Sequence, residues 1–161
     1  MAYRTDQAQP GPDRPRVSPG TVLVVDPDPE SLLTLAGIFH SQGYRCVCGR
    51  DVEAAEQAVA ETPYDVFVWD LGDEAADAVQ GLTRVRDAAR GTLPAVLIAD
   101  PKRAGLEKQA EGLPVTTRCL FKPIDPQALV AVVQQLLWMP TLVSAHRRRG
   151  TLPNRPGWVG L

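Results

Sequence analysis

Three residues in this chain could do chemistry together: Asp26, Asp70 and Lys122. Each follows a short apolar run, Val22-Leu23-Val24-Val25, Val66-Phe67-Val68-Trp69 and Cys119-Leu120-Phe121 respectively. Unbroken runs of this length suit strands buried on both faces of a sheet. In open α/β sheets, ligand sites lie just past the carboxyl ends of such strands. Two carboxylates gathered there repel each other unless a cation sits between them. Magnesium is the natural candidate for oxygen ligands with waters retained. An aspartate beside such an ion can attack phosphorus, because the metal neutralises the phosphoryl oxygens, and a lysine opposite adds a second positive charge. The product would be an aspartyl phosphate.

The elements that must position these groups alternate along the chain. Thr21–Val25 reads as a first strand. Asp28 then reads as a helix N-cap, with Pro29 at the first helical position and Glu30 in the first turn. Leu32, Leu35, Ala36 and Phe39 keep helical spacing up to Gln42, and Gly43 supplies the stop. Arg45–Cys48 is a short second strand, and Asp51 caps a second helix ending near Thr62-Pro63. The third strand ends at Asp70. A polar loop, Gly72-Asp73-Glu74, leads to a third helix with Val79, Leu82 and Val85 on one face, ended by Gly91. Pro94–Ala99 is a fourth strand, and Asp100-Pro101 opens a weak fourth helix. Thr117–Phe121 is the fifth strand. Asp125-Pro126 caps a fifth helix with Leu129, Val132, Val133, Leu136 and Leu137 inward, ending at Pro140. Strands and helices alternating on short connections imply a parallel sheet covered on both faces. With right-handed crossovers, the expected class is α/β: a flavodoxin-like, doubly wound (βα)5 sheet in the order 2-1-3-4-5. That order sets Asp26 beside Asp70 and lets Lys122 reach in from the other side.

The chain of 161 residues suits one folded domain. A proline-rich, disordered leader is expected over residues 1–20, the domain over 21–139 and a basic, proline-containing tail over 140–161. Residues 21–139 hold ten Lys/Arg against seventeen Asp/Glu, and residues 140–161 hold four Arg and no acid. An acidic folded part suits a divalent cation and not a nucleic acid. The basic tail reads either as a contact with an acidic partner or nucleic acid, or as a solvated end. No apolar run reaches membrane-spanning length and no signal-peptide core is present, so a cytoplasmic protein is expected. Cys46, Cys48 and Cys119 make neither a disulfide framework nor a zinc set, and core packing is their expected role.

Over residues 21–138 the chain resembles the receiver domain of bacterial response regulators. Val22-Leu23-Val24-Val25-Asp26 is similar to the family's first strand and its acid. Asp65-Val66-Phe67-Val68-Trp69-Asp70-Leu71 is similar to the strand carrying the phospho-accepting aspartate. Leu93-Pro94-Ala95-Val96-Leu97-Ile98 resembles its fourth strand, and Lys122-Pro123-Ile124 its lysine-proline turn. The resemblance implies Asp70 as phosphoacceptor and Lys122 as phosphate-sensing base. It implies Mg2+ held by Asp26, Asp70 and the Gly72 backbone carbonyl, with Asp28 as a further candidate ligand. It implies a signalling module, not a turnover enzyme. Its partners would be a sensor histidine kinase, a phosphotransfer protein or another signalling protein, with no membrane and no nucleic acid. A weak homodimer is compatible with it.

Three positions depart from that pattern. Pro27 stands where receivers carry a second, metal-binding acid. Ala99 stands where they carry the Ser or Thr that bonds a phosphoryl oxygen. Cys119 replaces the switch aromatic three residues before the lysine. The metal site is therefore expected to be weak, since even outer-shell losses typically cost about ten- to a hundredfold in affinity. Losing a hydrogen bond to a charged group forfeits roughly 1.5–3 kcal/mol. The tail is too short for a helix-turn-helix output domain, so a stand-alone receiver acting through partner proteins is expected. Two other readings compete. One is a phosphorylation-independent pseudo-receiver that acts as an interaction module, which Pro27, Ala99 and Cys119 favour. The other is a phosphatase of the haloacid dehalogenase type, because Asp26-Pro27-Asp28 resembles its nucleophile motif with Asp26 as nucleophile. Pro29 and the lack of a later paired acidic motif count against it.

Overall fold

All five expected strands form, and every strand pair is parallel. The computed structural model describes residues 19–73, 77–103, 105–113 and 115–151. In chain order the elements are β1 (Thr21–Val25), α1 (Pro29–Ser41), β2 (Arg45–Gly49), α2 (Val52–Glu61), β3 (Val66–Asp70), α3 (Ala78–Ala88), β4 (Ala95–Ala99), α4 (Leu106–Glu111), β5 (Thr117–Phe121) and α5 (Pro126–Thr151). A short 3-10 helix, Pro101–Arg103, precedes α4. The strand order is β2-β1-β3-β4-β5, as expected. Most of the expected leader, together with Glu74 and the end of the tail, lies outside the described residues.

Helix starts follow the capping chemistry. Asp28 accepts from the Glu30 N–H at 3.3 Å and Asp51 from the Ala54 N–H at 2.7 Å. Asp77, which the sequence reading passes over, does the same for α3, accepting from Gln80 N–H at 3.1 Å. Each such cap satisfies a backbone donor that the first turn leaves without a partner. The fourth helix is weak, as expected: α4 has only six residues.

The sheet divides two apolar layers. Leu23, Val25, Phe67, Trp69 and Leu97 face Ala55 and Val59 of α2 and Leu82 and Val85 of α3. On the other side Val22, Val24, Val66, Val68 and Ile98 face Leu35 and Phe39 of α1 and Leu129, Val133 and Leu136 of α5. Each buried Val or Leu contributes about 1.5–3 kcal/mol. The fully buried β3 and β4 form the centre, and the exposed β2 forms one edge.

Two features differ from the sequence reading, and a third was not read from it. The buried face of α3 is Ala78, Gly81, Leu82 and Val85, with Val79 only half-buried. Trp69 packs closely on this face: a Cβ at Gly81 would lie 2.6 Å from its Cη2. Next, α5 does not end at Pro140 but runs on to Thr151. A proline inside a helix forfeits one intrahelical hydrogen bond and strains the turn before it, yet no second proline or glycine follows until Gly150. Last, Arg86 of α3 staples the amino-terminal ends of β4 and β5. Its Nε donates to the Leu93 carbonyl at 2.9 Å, and one Nη donates to the Thr116 carbonyl at 3.1 Å and Thr117 Oγ1 at 2.9 Å. Burial pulls this guanidinium down to about 10.

Helix propensity alone says that Gly81→Ala stabilises α3 by about 1 kcal/mol. Packing says the opposite, because overfilling a tight contact costs roughly 1–3 kcal/mol. The expected outcome is a lower urea midpoint for Gly81→Ala, with Trp69 fluorescence altered. A raised midpoint would mean that Trp69 does not rest on α3.

Candidate functional site: an acid pocket at the carboxyl edge of the sheet

Register builds the pocket. Val25 pairs with Trp69 across β1 and β3, so Asp26 and Asp70 leave neighbouring strands at the same edge. Ala99 pairs with Phe121, and the Lys122 N–H donates to the Ala99 carbonyl at 2.9 Å. Lys122 thus enters from the β5 side, and the Lys122-Pro123 peptide bond is cis. The structure brings together the three residues that the sequence singled out.

Asp26 and Asp70 are the buried charged residues among the described ones, at 1% and 2% exposure. Asp70 Oδ1 accepts from the Gly72 N–H at 2.9 Å and lies 3.0 Å from Lys122 Nζ. Asp26 Oδ1 accepts from the Asp28 N–H at 2.9 Å, while its Oδ2 is buried with no hydrogen-bond partner. Burial pushes the Asp26 carboxyl above its ordinary value, and the Asp70 charge adds to that. The Ser31 hydroxyl, the Asp28 N–H and the Lys122 charge oppose the shift without cancelling it. Burial pulls the Lys122 ammonium down, but its hydrogen bond and charge contact with Asp70 outweigh this, helped by Asp26 and Asp73. The net effect holds it above its ordinary value.

The departures from the receiver pattern have a physical shape here. Pro27 packs on Gly72, whose φ is +64°, and a Cβ at Gly72 would lie 2.6 Å from Pro27 Cγ. The Pro27 carbonyl accepts from Arg50 Nη2 at 3.1 Å, which fixes this corner further. The Asp28 carboxylate is committed to the α1 cap and does not replace the missing acid. Ala99 is buried at the end of β4 and offers no hydroxyl. Cys119 is half-buried in β5, and burial, with the Glu107 charge, pushes its thiol up to about 11. Asp100 accepts from the Lys102 N–H at 2.9 Å, capping the short 3-10 helix and not α4 as the sequence suggests; α4 starts behind Gly105 with no side-chain cap. The packing roles of Gly72 and Gly81 were not read from sequence. Glycine two residues past a strand-end acid was the available signal for the first.

Among the described residues, no group of three or more His, Cys, Asp or Glu side chains converges on one point. A magnesium ion that keeps several waters needs only one or two carboxylates. The orphaned Asp26 Oδ2 beside the Asp70 carboxylate fits that minimal requirement. Pro27 stands where the receiver pattern carries a third acid.

The raised Asp26 value sets a pH dependence. Its folded-state pKa exceeds the unfolded one, so folding takes up a proton between the two. Stability from this group is therefore present below the unfolded value and lost as pH rises through the raised one. Asp26→Asn removes that loss. In metal-free buffer at neutral pH it should stabilise the protein by roughly 0.5–2 kcal/mol, and the gain should shrink as pH falls through the carboxylate range. Urea midpoints at several pH values check this. A destabilised variant at neutral pH would mean that the Asp26 charge is not a burden.

No family model and no curated protein matches the chain. Solved structures do. A response regulator receiver protein from Sinorhizobium medicae aligns at 24% identity and a TM-score of 0.61, covering 73% of this chain and 93% of that one. A two-component response regulator from Clostridium difficile aligns at 20% identity and 0.63, covering 73% and 94%. The chemotaxis response regulator CheY4 of Vibrio cholerae aligns at 18% and 0.60, covering 73% and 98%. With its strand order, helix set and edge pocket, the chain has the fold of a response regulator receiver domain.

Proposed function

We propose that this chain is a receiver-like signalling domain of a two-component phosphorelay, in which Asp70 accepts a phosphoryl group weakly or conditionally. The observation that carries this reading is the Lys122 Nζ resting 3.0 Å from the Asp70 carboxylate at a rim shared with Asp26. An Asp70 oxygen bonds to the phosphorus of a phosphohistidine or an acyl phosphate. The bond from phosphorus to the donor's nitrogen or oxygen breaks, and its electron pair leaves with the donor. Lys122 holds a positive charge where the phosphoryl oxygens gather. Asp26 and Asp70 would hold Mg2+, with Gly72 as the carbonyl candidate, and the ion would supply neutralising charge on those oxygens. Ala99 and Cys119 leave the phosphoryl group with little to bond in an altered state. A ligand that barely distinguishes two states shifts their populations little. The partners in this reading are a sensor kinase or phosphotransfer protein and a downstream signalling protein, in the cytoplasm. No described helix is long and apolar enough to cross a membrane.

The Pro27 contact with Gly72 favours a second reading, a phosphorylation-independent interaction module. A phosphatase using Asp26 has less support, because the Asp28 carboxylate of the Asp-x-Asp motif is spent on capping α1.

Incubation with acetyl phosphate and magnesium, followed by intact-mass measurement, separates the first two. The phosphorelay reading expects an adduct of one phosphoryl group, lost in Asp70→Asn. No adduct selects the interaction module, and an adduct lost in Asp26→Asn but kept in Asp70→Asn selects the phosphatase. Pro27→Asp restores the third acid and should tighten magnesium binding by about tenfold or more, read by calorimetric titration. Unchanged affinity would refute the placement of the metal against Pro27.

A further inference from the structure

The uncharged outer face of α5 is unusual on a chain in which 22% of residues are charged. From Pro126 to Ala145 the helix carries no Asp, Glu, Lys or Arg. Gln127, Ala131, Gln134 and Trp138 are all exposed, and their spacing sets them on one stripe. Trp138 is 63% exposed. Two turns before it, the same stripe borders a groove of about 260 Å3 between α1 and α5. Ile38, Ser41 and Gln42 line one side of it, and Val130, Ala131 and Gln134 the other. A solvated helix normally carries charge on its outer face, and an uncharged stripe with a small residue at its centre is what close helix packing requires.

We propose that this groove receives a second copy of the chain, with the two α5 helices antiparallel and Trp138 of each copy seated over the partner's Ala131. A two-fold axis between Gln134 and Gln135 sets residue 138 of one copy opposite residue 131 of the other. One patch then supplies both the projecting side chain and the recess, as a self-complementary dimer requires. The direction of pairing follows from charge. The 26 residues of α5 span about 39 Å, so the helix continues past the domain core. Antiparallel pairing carries Arg147-Arg148-Arg149 beyond the partner's Pro126, towards its exposed Asp125 at the acidic edge of the sheet. Parallel pairing would set the two arginine runs side by side, which repulsion opposes.

Sedimentation velocity on the full chain, over a concentration series up to about 1 mM, tests the proposal. The expected result is a monomer–dimer equilibrium that weakens with added salt. Trp138→Ala and Ala131→Glu should each raise the dissociation constant at least tenfold. Both positions face solvent in the monomer, so circular dichroism should be unchanged. Arg118→Glu, exposed on the β5 edge, should leave the constant unaltered. A monomer at every concentration overturns the proposal. So does a dimer that Arg118→Glu weakens and Ala131→Glu does not.

Discussion

The ion pair between Lys122 and Asp70 is the contact on which the carboxyl edge depends. Two aspartates come out of neighbouring strands into a space that water barely reaches, and their charges repel. Without a cation, burying both would cost several kcal/mol. Lys122 is the cation that the fold itself supplies, delivered by the end of β5, and its contacts with Asp70 outweigh the desolvation that burial imposes on it. The crossover order of the strands matters because it is what lets a residue near the carboxyl end of the chain neutralise an acid near its middle.

The surroundings of that pair are asymmetric. On the Lys122 side the pocket is complete. On the β1 side, a proline ring on a glycine backbone replaces an acid, and the would-be substitute, Asp28, is tied to the start of a helix. Around β4 and β5 the groups that could respond to a bound phosphate are a methyl and a thiol. In the proposed phosphorelay reading, the chain keeps the groups that would hold negative charge and lacks those that would convert its arrival into motion. Within that reading, control by association gains weight, since a domain with a blunted internal response can still be governed by what docks on it.

Much of this was legible before any coordinates. The apolar runs ending in Asp26, Asp70 and Lys122 fixed strand, edge and topology together, because a run buried on both faces leaves little choice of sheet type. The caps at Asp28 and Asp51 were legible because capping is local chemistry. What was not legible depends on contacts across the fold. Trp69 reads as core in the sequence, but nothing local says that it rests on Gly81 of the opposing helix. Nothing in the sequence singles out Arg86, and only the meeting of α3 with two strand starts turns it into a half-buried staple. The continuation of α5 was missed because Pro140 is a strong local stop signal, and a helix already propagating can carry one such defect.

The seat of Pro27 on Gly72 makes the two positions unequal. A Cβ at 72 would meet both a left-handed backbone and the proline ring, whereas trimming the side chain at 27 would relieve the ring contact alone. Substitutions at the two positions are therefore not additive, because neighbours that share one space couple. The cost of a side chain at 72 depends on what stands at 27.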